Sequence, residues 1–428
     1  MPEPTPPARA PGPEPHASPD GSPGTVSPAG SRAHASPDAS SVHARALALR
    51  VYYFCSFSML GAYLPYFPSW LEAQGVDGLA IGVIASAMPA MNVLGPPAFG
   101  ALADRLGLRG GILRLSCAGA LVGFAAITAL SRDAALPFAA LLVLVSFFAF
   151  FRSPMVLLAD VVALELADVT RAPSYGALRL WGSIGFLVTA AAVGRWIDPR
   201  TLLLPAAVAV LLAAALVAAF FLPSRVALPA PPAPGEVRAL LSARGFQLFL
   251  LAAFLGQGAQ SVYDLCFSRH LRDLGAGGTL VGAAWAVGVA AEVALLAGSA
   301  RLLSRFGAPR LLVVAFAGAA VRWLLIAALR SPWLLLLLQP LHALSFALMW
   351  VASLGLVKAH AGPRALASAQ GVATASAAAG MVLAMPLWGA LYRHGGGALA
   401  FGTAAAFSLA AALVALRLPA TRPAVAAR

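Results

Sequence analysis

Charge is scarce in this chain. Only 11% of its 428 residues are charged, against about a quarter in soluble domains. So little charge cannot solvate several soluble domains, and that class is excluded. Cysteine is scarce too: Cys55, Cys117 and Cys266 are the only three. The number is odd, all three fall in or beside apolar stretches, and none has metal-ligand spacing, so a disulfide framework and a cysteine metal site are excluded. The net charge of +13 does not gather into a basic patch with interleaved aromatics, which argues against nucleic-acid binding. No nucleophile–base motif and no cluster of His, Asp and Glu occurs at a predicted interface. The chain is not expected to be an enzyme or to need a metal or an organic cofactor.

What is abundant is apolar surface. Hydrophobic residues make up 60% of the chain and the mean hydropathy is +0.83. Twelve stretches approach the ~20 residues that cross a bilayer core: 50–70, 79–102, 111–130, 134–158, 174–194, 201–222, 245–268, 279–302, 311–329, 332–356, 366–391 and 397–417. Residues 1–45 hold eleven prolines, four of them in Ser-Pro steps. They contain no apolar run, so they read as a disordered tail and not a signal peptide. A proline-rich linker over 223–244 divides an amino-terminal six-helix lobe (46–222) from a carboxy-terminal one (245–417), with a cytoplasmic tail at 418–428. The expected class is an all-α membrane protein.

The halves repeat at an offset of 200 residues. Tyr63, Phe67, Leu71, Gly75, Gly82, Leu102, Arg105 and Gly107 each recur as Tyr263, Phe267, Leu271, Gly275, Gly282, Leu302, Arg305 and Gly307. A duplicated bundle of this kind places its substrate near the midplane, between the lobes. If the amino terminus is cytoplasmic, 19 basic residues lie on the cytoplasmic side, 7 on the outer side and three within spans. The positive-inside rule therefore predicts an inner-membrane protein with both termini in the cytoplasm.

Between the second and third stretches the chain reads Gly100-Ala-Leu-Ala-Asp104-Arg105-Leu-Gly107-Leu-Arg109. This resembles the signature loop of the major facilitator superfamily, G-x-x-x-D-R/K-x-G-x-R/K. Tyr175-Gly176-Ala-Leu-Arg179-Leu-Trp181-Gly182-Ser183, Gln257-Gly258-Ala259, Val289-Ala-Ala-Glu292-Val, Val321-Arg322-Trp323 and Leu341-His342 together resemble the phenylpropionate permease group. They are more distantly similar to lactose permease and its proton-symporter relatives. The resemblance covers 50–417. It implies a major facilitator fold of twelve transmembrane helices in two six-helix lobes. It also implies proton-coupled uptake of a small organic solute, such as a 3-phenylpropionate-like aromatic carboxylate; the alternatives are a proton-coupled sugar or nucleoside symporter, a drug efflux pump, and a transporter-derived membrane sensor without flux. The expected partners are that solute, protons and the bilayer, and the expected state is a monomer powered by the proton gradient.

Glu292, Arg322 and His342 sit near the centres of three consecutive spans. A charged group there costs at least ~2.5 kcal/mol, so it should face the interior and find a partner. An acid, a fixed cation and a titratable imidazole form a proton-coupling candidate. Lactose permease has a comparable trio and a second Glu three residues after the His; that position here is Ser345. Glu292 must then combine two roles, or another acid must help.

Gln257, Gln260, Ser261, Asp264 and Ser268 share one helical face. Gln257, Gln260 and Asp264 are substrate-binding candidates, with the alternative that Asp264 is a hydrated mouth residue. Gln339, His342 and Ser345 form a second stripe, and Gln339 joins the binding set. Of the aromatics, Tyr63 and Trp285 are the better candidates to stack on a substrate. Arg179 and the signature residues Gly100, Asp104, Arg105, Gly107 and Arg109 form a candidate cytoplasmic gate, with Asp160 or Asp104 as the partner of Arg179. Arg152 is expected to reach for the inner interface.

Overall fold

Lipid offers no hydrogen bonds, and a helix closes its own. The computed structural model describes residues 39–106, 109–132, 134–167, 173–198, 200–223, 234–361 and 365–419, and every regular element among them is helical. The elements are α1 (Ala39–Ala73), α2 (Gly78–Leu106), α3 (Arg109–Leu130), α4 (Phe138–Arg152), α5 (Met155–Ala167), α6 (Tyr175–Trp196) and α7 (Leu203–Phe220). After the short α8 (Pro234–Ser242) come α9 (Arg244–Asp273), α10 (Gly278–Phe306), α11 (Ala308–Ala328), α12 (Pro332–Leu337), α13 (Met349–His360) and α14 (Leu366–Ala415).

The helices reduce to twelve crossings. Ten stretches are long and apolar enough to span, α4 with α5 counting as one and α12 with α13 as another. The eleventh is α9, whose polar stripe lowers its hydropathy. At 1.5 Å per residue the 50 residues of α14 would reach about 75 Å, far more than a bilayer. Non-helical backbone at Gly395 and Gly396 breaks it, which supplies the twelfth. Two expectations shift. The first helix begins at Ala39, not near residue 46, and Val42 and Ala46 are already buried. Within the linker, 234–242 is helical.

The repeat is visible in geometry. Gly75 and Gly275 both have positive φ, 80° and 88°, a conformation that glycine adopts at little cost. Each donates back three residues, to Glu72 at 2.9 Å and to Arg272 at 2.8 Å, and the residue after each closes on Leu71 or Leu271. Tyr63 stacks on Phe67 with ring centres 4.6 Å apart, and Tyr263 on Phe267 at 4.5 Å.

At the end of the bundle carrying these two turns, the halves meet through glycine. A Cβ on Gly78 or Gly389 would strike the carbonyl of the other, and the same holds for Gly194 and Gly278. Small residues let helix backbones approach this closely. Arg269 pairs with Glu72 at 3.0 Å, Arg393 lies 3.9 Å from Asp77, and Arg272 donates to Ser69. Toward the opposite end, a Cβ on Gly176, Gly298 or Gly371 would meet nothing within 4 Å. The end carrying the two turns is closed by the contacts between the halves.

Candidate functional site

The tenth crossing is irregular, and that irregularity builds the site. Pro340 has no N–H to donate, and the chain passes through a 3-10 turn (Gln339–Leu341) and a π-helix (Ala343–Leu348). The π-helix is a rare form that recurs at functional sites. The broken geometry turns Gln339, His342 and Ser345 together onto Arg322 of α11. Arg322 is fully buried. It donates to His342 Nδ1 at 2.9 Å, to Ser345 Oγ at 2.8 Å and to Gln339 Oε1 at 3.0 Å. Its guanidinium also lies over the Tyr263 ring at 4.4 Å and the Trp323 ring at 4.6 Å. Three charge-assisted bonds and two aromatic faces offset the cost of burying the cation.

Glu292 of α10 reaches the same group from the other side. Its Oε1 lies 2.5 Å from His342 Nε2. Arginine only donates, so His342 Nδ1 must accept. The ring proton of a neutral imidazole is then on Nε2 and points at the Glu292 carboxylate. Glu292 and Arg322 are thus joined through His342 and not directly. Gly288, one turn before Glu292, makes room: a Cβ there would stand 3.3 Å from the His342 ring. His342 also stacks on Tyr263 at 4.8 Å and on Phe346 at 5.5 Å.

A cavity of about 190 Å³ opens between the halves. Its polar lining is Tyr63, Asn92, Arg152 and Asp264, and most of the remainder is apolar, including Phe67, Met88 and Met385. Of the α9 stripe, Asp264 lines the cavity. The rest of the α9 stripe disperses. Ser261 accepts from Trp388, and Ser268 accepts from Trp285 at 2.9 Å. The amide of Gln260 is buried without a protein partner, and Gln257 is half-buried. Trp285 is 4% exposed, packed between Tyr263 and Phe186, and is not among the cavity residues. Gln339 also accepts from Tyr263 at 3.1 Å.

Arg152 does not reach for an interface. The apolar pattern ends this span at 158, but helix resumes after Pro154 and runs to Ala167. Arg152 therefore sits near mid-span and lines the cavity. Its distance from the true span end was the missed signal. Arg179 lies 3.8 Å from the Phe57 ring centre and 5.6 Å from that of Tyr53. Tyr53 in turn donates to Asp160 at 2.6 Å. Tyr53 thus stands between Arg179 and Asp160, and no ion pair joins them. Of the signature loop, Gly107 lies outside the described residues. Gly100, Asp104 and Arg105 fall in the last turns of α2 and Arg109 opens α3, but their side chains lie outside the described set.

Residues 46–403 match the model of the MFS_1 like family. Maltose permease of Geobacillus stearothermophilus is 32% identical over 68% of this chain and 73% of its own length. A probable 3-phenylpropionic acid transporter of Escherichia coli (strain K12) is 29% identical over 80% of this chain and 90% of its own. Among solved structures, the nucleoside transporter NupG superposes with a TM-score of 0.73 at 18% identity, covering 87% of this chain and 98% of that one. That likeness concerns the fold. With twelve crossings, a cavity between its halves and these relatives, the chain belongs to the MFS_1 like family of multi-pass membrane transporters, which are not enzymes.

Proposed function

We propose that the protein imports a small one-ring organic acid, resembling 3-phenylpropionate, together with protons. The chain from Glu292 through His342 to Arg322 carries the coupling. Glu292 stands on α10, while every other member belongs to α9, α11 or the irregular crossing. A proton on Glu292 removes the anionic acceptor of the His342 N–H and loosens α10 from its neighbours. A proton lost restores the link. Such a bistable contact connects protonation to a helix movement.

Cavity size supports the one-ring substrate. A cavity of about 150 Å³ takes benzene, so about 190 Å³ suits one ring with a short tail better than a disaccharide such as maltose. The mostly apolar lining points the same way. The charge count supports both termini in the cytoplasm, and the protein works as a monomer of the inner membrane. In that orientation the end closed by the two glycine pairs faces outward. A sugar is the second reading, carried by the maltose permease similarity.

The test is uptake of labelled 3-phenylpropionate into proteoliposomes, with and without an inward proton gradient. Accumulation above equilibrium only with the gradient supports the reading. Equal uptake in both conditions removes proton coupling. No uptake by well-folded protein, with accumulation of maltose or a nucleoside instead, replaces the substrate.

A further inference from the structure

Arg152 and Asp264 line one cavity from different halves of the molecule. Arg152 closes α4 where Ser153 and Pro154 interrupt the crossing. Pro154 cannot continue the ladder of hydrogen bonds, and α5 starts afresh at Met155. Asp264 lies on α9, two residues before Cys266 and one turn past Gln260. Among the described residues, every side-chain ion pair within 4.0 Å involves other groups. Among those residues Arg152 has no carboxylate at that distance, and Asp264 has no cation. Unlike charges set in a largely apolar cavity, without an ion-pair partner among the described residues, are costly, and an occupant that meets both removes that cost. The same lining carries aromatic and thioether surfaces, Tyr63, Phe67, Met88 and Met385, suited to a ring face.

The geometry points to a two-pole binding site, in which Arg152 holds the carboxylate of the solute and Asp264 accepts from a hydrogen-bond donor elsewhere on it. The ligand class is a one-ring carboxylate that also carries a hydroxyl or ammonium group. This rests on the reading that the cavity holds the transported acid, and it adds the pole that 3-phenylpropionate lacks.

Equilibrium binding to the purified full chain, without a gradient, tests the site. The probes are 3-phenylpropionate, 3-(4-hydroxyphenyl)propionate, phenylalanine and the neutral 2-phenylethanol. Wild type should bind a donor-bearing acid more tightly than 3-phenylpropionate, and 2-phenylethanol least. Arg152→Gln should weaken the acids about tenfold or more, the loss expected for a charged hydrogen bond, with little change for 2-phenylethanol. Arg152→Lys should fall between, since it keeps the charge and loses the fork. Asp264→Asn should narrow the preference for the donor-bearing acid. Thermal melting of each variant separates loss of folding from loss of binding. Undiminished acid binding by folded Arg152→Gln overturns the assignment, as does an unchanged preference in Asp264→Asn. Which donor-bearing acid wins separates hydroxyl from ammonium. Binding without proton-driven uptake leaves the site standing and removes the transport reading. Proton-driven uptake with an unchanged KM in Arg152→Gln does the reverse.

Discussion

His342 Nε2 stands 2.5 Å from Glu292 Oε1, while His342 Nδ1 accepts from Arg322 at 2.9 Å. The imidazole is therefore held in one tautomer between a fixed cation and a titratable acid. Glu292→Gln keeps the shape and removes the titration. Proton-driven accumulation should fall at least tenfold while solute exchange across the membrane continues. Uptake and exchange assays on the same proteoliposome preparation read the two separately, and gradient-driven accumulation at the wild-type level would remove Glu292 from the coupling path.

Arg322 is expected to carry structure as well as chemistry. Arg322→Ala leaves His342, Ser345 and Gln339 without their shared donor in a buried site and opens a hole beside Tyr263. Removing one member of a buried charged group costs about 3–5 kcal/mol. A large drop in the melting temperature in detergent is expected. Arg322→Lys should fall less, because one charge remains but cannot reach all three acceptors.

The seal at the closed end depends on missing side chains. Gly389→Ala places a Cβ against the Gly78 carbonyl, and Gly194→Ala does the same to Gly278. Backbone cannot step aside as a side chain can, so the halves must part there. Spin-label distances between the α1–α2 and α9–α10 turns should lengthen in both variants. Unchanged distances would show that the glycines do not set the seal.

The repeat predicts equal costs. Gly75→Ala and Gly275→Ala each force a side chain onto positive φ, at about 1 kcal/mol. Their melting temperatures should fall by similar amounts, and a marked difference would mean that the two turns are supported unequally.

Tyr53 links two charges that do not touch. Tyr53→Phe removes the donor to Asp160 but keeps a ring for Arg179. A loss of about 1–3 kcal/mol is expected from the unsatisfied carboxyl, measured by thermal melting. Tyr53→Ala should cost more, since the ring goes too.

Much of this protein is legible in the order of its residues. Apolar runs of membrane length specify helices because lipid cannot satisfy an open backbone. The offset of 200 residues announces the duplicated turns at Gly75 and Gly275, since only glycine suits that conformation. The costs of burying Glu292, Arg322 and His342 in lipid were enough to gather them in expectation. What required the folded chain was the order within that group. Local pattern cannot say that His342 stands between the acid and the cation, because Pro340 and the π-helix rotate the residues after them away from ideal helical positions. Nor does it say which polar residues of α9 face the cavity, because Trp285 of the next crossing and Trp388 of a distant one claim Ser268 and Ser261. Arg152 shows the same division. Its charge is plain in the sequence, but its depth depends on a helix that stops at Pro154 and starts again, and its neighbour Asp264 lies 112 residues away. Contacts across such separations are set by packing between halves, which no periodicity records.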